Sequence, residues 1–163
     1  MRRLFFAALA FVASTLIIGC DDDYNAPTSM RQTLKEQYPT AVDVEWEKKH
    51  QHIVAEFHLQ GQRGDCEAWY TKSGKWLMTK FDMSYTDLPI AVRNAFEGEY
   101  GADTPVDEVE RLERNNGDTI YFIEATVVIN GYLTDIYLDY SEDGTLLRTA
   151  VDVENYDNVY YYL

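Results

Sequence analysis

Four side chains with metal-binding chemistry lie close together in the chain: His50, His52, Glu56 and His58. On an extended strand they share parity and line one face, while Ile53, Ala55, Phe57 and Leu59 line the other. Imidazole and carboxylate groups hold Zn²⁺ when their atoms converge to about 2.0–2.2 Å from one ion. Residues two apart on a strand are separated by roughly 6–7 Å. Only His50 and His52 could therefore pinch an ion between them, and His58 is too far along the strand. Lys48 and Lys49, beside them, repel a cation. The pattern reads as a solvated strand face, with no metal expected and with His50 and His52 as the weak candidates.

Other arrangements imitate catalytic or ion-binding chemistry less well. Asp139-x-Ser141-x-Asp143-Gly144 resembles the opening of a calcium loop, but Ala150 stands where the bidentate Glu is required, and the flanks read as strands. Cys66 is flanked by Asp65 and Glu67, whose charges raise a thiol pKa and disfavour the thiolate. Glu110 with Glu113, or Asp135 with Asp139, offer paired carboxylates, but nothing singles them out among 28 acidic residues. A Gly-rich phosphate loop, a nucleophile elbow and a zinc-protease helix are all missing from the sequence. The chain is expected to be non-enzymatic and to need no cofactor.

Aromatic residues point instead to binding. Trp46, Trp69, Trp76, Tyr121, Tyr132 and Tyr137 fall in strand-like stretches. They either fill a core or present anchors to a partner, Trp and Tyr being favoured hot-spot residues. Trp69 and Tyr137 have charged neighbours and are the outward candidates. The final Tyr160-Tyr161-Tyr162-Leu163 either closes a sheet edge or stays exposed and promotes association.

The N-terminus carries a different chemistry. Arg2 and Arg3 precede an apolar run, Leu4 to Ile18, broken only by Ser14 and Thr15, and Gly19-Cys20 follows. A charged end, a short apolar run and a small residue are the needs of an export signal. The run is shorter than a bilayer-spanning helix requires. The junction resembles the bacterial lipobox, which implies that residues 1–19 are removed and that Cys20 is acylated. Acyl chains on Cys20 then link the chain to a membrane. Removal of Arg2 and Arg3 leaves 12 basic residues against 28 acidic ones, a formal charge of −16. Such a chain repels phosphate backbones, so nucleic acid is excluded as a partner. With Cys20 acylated, Cys66 has no partner in the chain, and the fold must hold by burial alone. Residues 20–27 read as an acidic tether. Its Asp21-Asp22-Asp23 resembles the surface-export signal of Bacteroidota lipoproteins, or the inner-membrane retention signal of enterobacterial ones.

The elements that must position these residues come in two similar sets. Met30, Leu34 and Tyr38 recur at helical spacing, capped by Thr28 or Ser29 and stopped by Pro39. Val92, Phe96 and Tyr100 repeat the pattern, with Asp87 as cap, Pro89 in the first turn and Gly101 as stop. Four strands are expected after each helix. The first four lie near Val42–Lys49, Ile53–Gln60, Cys66–Thr71 and Lys75–Met83. The second four lie near Glu108–Arg114, Ile120–Asn130, Tyr132–Tyr140 and Thr145–Val153. Gly, Asn and Asp at the junctions favour tight hairpins and antiparallel neighbours. Tyr70-Thr71-Lys72-Ser73-Gly74-Lys75-Trp76-Leu77 matches Tyr140-Ser141-Glu142-Asp143-Gly144-Thr145-Leu146-Leu147. The fold expected is α+β, as two tandem repeats at 28–85 and 86–155, each a helix plus a four-stranded antiparallel sheet, the two packed together with one continuous sheet as an option. A Tyr-rich tail at 156–163 follows.

These hairpins, with Thr86-Asp87-Leu88-Pro89-x-x-Val92-x-x-x-Phe96 between them, resemble the PepSY-like, β-lactamase-inhibitor-like family of exported bacterial proteins. The resemblance covers roughly residues 28–153. It implies two helices on one face of an antiparallel sheet and a binding or inhibitory role toward proteins or peptides outside the cytoplasm. It carries no catalytic motif. The expected protein is an envelope lipoprotein of the outer membrane, on its periplasmic or surface-exposed face. Its partner is an extracytoplasmic protein or peptide. The rival readings are an aromatic-lined glycan- or nutrient-binding accessory and a purely structural envelope protein.

Overall fold

The computed structural model describes residues 24–151. The expected signal at 1–19, Cys20 with its acidic run, and the tail at 156–163 lie outside the described residues. The elements are α1 (Thr28–Gln37), β1 (Ala41–Lys49), β2 (His52–Leu59), β3 (Asp65–Thr71) and β4 (Trp76–Asp82). A 3₁₀ turn (Tyr85–Asp87) then leads to α2 (Ile90–Tyr100), β5 (Val106–Arg114), β6 (Thr119–Ile129), β7 (Tyr132–Ser141) and β8 (Leu146–Val151).

Both helices start differently from the sequence expectation. Thr28 and Ser29 lie inside α1, and Asp87 belongs to the 3₁₀ turn, so none of them caps. Pro27 and Pro89 hold the cap positions instead, with φ of −54° and −51°. The pyrrolidine ring presets that angle. The Pro27 carbonyl accepts from the Met30 and Arg31 N–H groups, and Pro89 accepts from Arg93. The stops are as expected: Pro39 follows the end of α1, and Gly101 ends α2 at φ +95°.

All eight strands form one antiparallel sheet in chain order. The expected pair of four-stranded meanders is thus a single sheet, joined where β4 pairs with β5 from Met78 opposite Arg114 to Asp82 opposite Glu110. Residues directly opposite share a face. Phe81 faces Arg111, and Arg111 faces Tyr121, which places both helices on the same side. On that side the core divides in two. Met30 and Leu34 of α1 pack on Trp46, Ile53, Phe57 and Tyr70, while Val92 and Phe96 of α2 pack on Val109, Ile123, Leu138 and Tyr140. Between the two cores the Arg111 guanidinium lies over the Phe81 ring, 4.4 Å from its centre.

Among the described residues the opposite face carries no helix, yet it has a core of its own. Val54, Trp69, Met78, Leu112, Ile120 and Phe122 bury one another there, with Tyr137 at the margin. This cluster runs from β2 to β6 and crosses the β4–β5 junction.

Candidate binding surface

Carboxylates surround the apolar cluster of the helix-free face. Lys49 reaches Glu47, Glu56 and Glu67 at 2.7, 2.9 and 3.4 Å. Lys80 bonds Glu110 at 2.6 Å, and Arg148 bonds Asp139 at 2.5 Å. Glu110 is 1% exposed. A buried carboxylate of this kind requires a close cation. Burial pulls the Lys80 pKa down, but the charge and hydrogen bond of Glu110 outweigh it and leave it raised. Asp82, Glu108 and Glu124 are all pushed up, first by burial and then by neighbouring acids. Oxygens of Asp82, Glu108 and Glu110 come within 4.8 Å of one another, a spacing that suits a cation. The Lys80 ammonium already neutralises that group through Glu110.

The histidines are dispersed. His50 sits in the β1–β2 turn at φ +53°. The His52 ring lies 6.1 Å from Trp69, edge-on. His58 bonds Asp65 at 2.9 Å. The calcium-like stretch is a hairpin turn: Ser141 donates to Asp143 at 2.6 Å, Asp143 accepts from the Thr145 N–H at 3.0 Å, and Asp139 is turned to Arg148. Cys66 is buried on the helix side, and its pKa is pushed up to about 11, by burial first and then by Asp82 and Asp65. The argued acid pairs are separate, with Glu110 on Lys80 and Glu113 on Arg111, and with Asp139 on Arg148 and Asp135 on Thr126.

Trp69 and Tyr137 do point away from the helices, but Trp69 is only 1% exposed. Its Nε1 donates to Glu67 at 3.0 Å, and Lys49 lies 5.7 Å from its ring. The expectation of an outward Trp anchor is corrected: neighbours on the same curved face cover the ring, so it offers no flat surface to a sugar. Tyr137 is half-buried and stacks on Phe122 at 6.3 Å.

Exposed apolar surface gathers elsewhere, at the tip of the β6–β7 hairpin. Val128 is 67% exposed, Tyr132 76% and Leu133 78%, with Ile129 between them. Val128 faces Leu133 and Ile129 faces Tyr132 across the Asn130-Gly131 turn. Asn130 and Gly131 both have positive φ, as a two-residue hairpin turn requires. Pairing with β5 stops at Ala125, so the tip overhangs that neighbour, and on the other side β8 is described as far as Val151, opposite Ile136. Of these residues the sequence reading singled out Tyr132 alone. The signal available was length, since the strands expected at Ile120–Asn130 and Tyr132–Tyr140 outrun the one at Glu108–Arg114.

Residues 54–148 match the family described as "Putative beta-lactamase-inhibitor-like, PepSY-like". The chain belongs to this PepSY-like family. Among solved structures, this PepSY-like chain is similar to a BLIP-like protein from Bacteroides fragilis. That likeness has 30% identity and a TM-score of 0.70, covering 82% of this chain and 92% of that one. It is similar also to a DUF2874 family protein from Bacteroides ovatus, at 28% identity and a TM-score of 0.70, over 82% and 93% of the two chains. A third likeness is to a protein from Bacteroides eggerthii described as a "putative periplasmic" protein, at 26% identity and a TM-score of 0.70, over 82% and 94%. No curated protein matches the chain. Among the described residues no helix is long and apolar enough to cross a membrane.

Proposed function

We propose that this PepSY-like chain is an exported, lipid-anchored module that binds another protein and acts by occlusion rather than by chemistry. The observation that carries this reading is the overhanging β6–β7 tip. Val128 with Leu133 on one face of the hairpin, and Ile129 with Tyr132 on the other, leave both sides of the tip apolar and exposed. Such exposed apolar patches mark interaction sites. The name of the BLIP-like relative agrees with a protein partner, and the periplasmic description of another relative agrees with export. Acylation of Cys20 would tie the module to the membrane through the short acidic tether at 20–27. The order helix, four strands, helix, four strands, with matching hairpins at Gly74 and Gly144, supports descent from two tandem copies of one unit. A photo-crosslinking amino acid at position 132 tests the binding surface in intact envelopes, with position 90 on α2 as the control. A discrete protein adduct at 132, lost with Ile129→Asp on the same face, is expected. Identical adducts at both positions, or an adduct that survives Ile129→Asp, would refute it. Palmitate labelling that is lost in Cys20→Ala tests the anchor separately.

A further inference from the structure

A second feature lies at the other end of the sheet. α1, β1 and the segment before α1 enclose a cleft of about 750 Å³, within the usual range for small-ligand sites. Its floor is built from side chains that are already fixed. Leu34 and Trp46 are buried, and the Tyr38 hydroxyl donates to Thr79 at 2.9 Å. One wall is Tyr24, whose N–H donates to the Trp46 carbonyl at 2.9 Å and whose ring centre lies 4.6 Å from the Lys48 ammonium. The opposite wall carries Arg31 and Lys35, four residues apart and so on one face of α1. Asn25 accepts a hydrogen bond from Arg31 and orients the guanidinium. Neither Arg31 nor Lys35 is in an ion pair among the described residues. Among the described residues Glu45 is the one carboxylate lining the cleft. Among the described residues of a chain of formal charge −14, the cleft thus presents two cations against one acid over an aromatic floor.

We propose that this cleft binds an anionic amphiphile with a single carboxylate. Its head group is held by Arg31 and Lys35, and its apolar body lies on Leu34, Tyr38 and Trp46. Charge decides the class. A neutral apolar molecule would leave two cations unused beside it, and a cation would meet them as like charges. Decanoate is the probe, with decanol as its neutral counterpart, each below its micellar or solubility limit. Equilibrium dialysis of the radiolabelled compounds against the purified full chain, with no other protein present, reads binding directly. Decanoate should bind at one site, and decanol at least tenfold more weakly. Arg31→Gln with Lys35→Gln should weaken decanoate at least tenfold and leave decanol unchanged. Both cations are exposed, so an unchanged melting temperature certifies the fold of the double variant. Val44→Trp, at the rim, should block both compounds. Absence of decanoate binding, equal affinity for the two compounds, or an unaffected double variant would overturn the proposal. None of these results bears on the hairpin tip, because no protein partner takes part.

Discussion

Leu112→Ala tests the most consequential feature of the fold. The two helix-side cores do not merge, and Arg111 over Phe81 stands between them. Among the described residues, only the apolar cluster of the helix-free face crosses the junction, and Leu112 lies fully buried within it. Replacing Leu by Ala removes three carbons from that cluster. At about 0.8 kcal/mol per buried methylene the transfer loss alone is about 2.4 kcal/mol. Incomplete collapse of the hole brings the total to about 3–5 kcal/mol. The assay is urea unfolding followed by tryptophan fluorescence and by far-ultraviolet circular dichroism. The wild type should unfold in one transition, because the cluster couples its halves. The variant should lose about 3–5 kcal/mol and show separated transitions by the two probes, since Trp46, Trp69 and Trp76 all lie in the first half. A loss below about 1 kcal/mol would mean that this face is ordinary surface, and the argument for coupling through it would fail.

Two further outcomes follow from the same geometry. Asp82, Glu108 and Glu124 have raised pKa values, so the folded state holds their protons more tightly than the unfolded chain does. Their stabilisation is full below the ordinary carboxylate range near about 4 and is lost as pH rises through the raised values. The melting temperature should therefore rise on going from about pH 8 to about pH 5, and less so in Asp82→Asn. A flat or falling profile by calorimetry would contradict this. Gly117 and Gly144 both have positive φ, but an added Cβ meets nothing at Gly117, whereas at Gly144 it falls 2.5 Å from the Ala91 carbonyl oxygen. Gly117→Ala should cost roughly 1–2 kcal/mol and Gly144→Ala at least twice as much in urea unfolding. Equal losses would remove the contact between the β7–β8 turn and α2.

Much of the fold was legible because it rests on local periodicity. The spacing of Met30, Leu34 and Tyr38, and of Val92, Phe96 and Tyr100, identified both helices and the faces they bury. Gly and Asn placed the hairpins, and strand parity set His52, Glu56 and His58 on the face opposite Ile53, Ala55 and Phe57. What was not legible depends on partners distant in sequence. Charged neighbours marked Trp69 as outward, and a strand residue beside charges reads as exposed. Its burial needs Val54 and Met78 on the flanking strands, which only the register supplies. The helix starts were misread for a similar reason. Thr28 and Asp87 have good capping side chains, but the prolines beside them fix the backbone first. In the candidate surface, Tyr132 was noticed as an aromatic while Val128, Ile129 and Leu133 were not, because alternation within a strand does not reveal where its neighbours end.

Hairpin structure also explains why apolar exposure concentrates where it does. Trp69 stands directly opposite Met78 just before the first of the matching turns, and Asp139 holds Arg148 across the same place before the second. On the first side the pair joins the apolar cluster; on the second a buried ion pair ends it. The helix-free face is thereby committed to holding the sheet together, and its carboxylates are held by Lys49, Lys80 and Arg148. A partner docking there would have to compete with contacts the fold needs. Beyond Ala125 no β5 residue pairs with β6, and among the described residues Val128, Tyr132 and Leu133 stay largely exposed. Substitutions there should leave folding intact, which is the property that lets a surface be shaped by what it binds. Separation of a structural face from a free tip is the physical basis for assigning the binding role to the hairpin and not to the aromatic residues of the sheet.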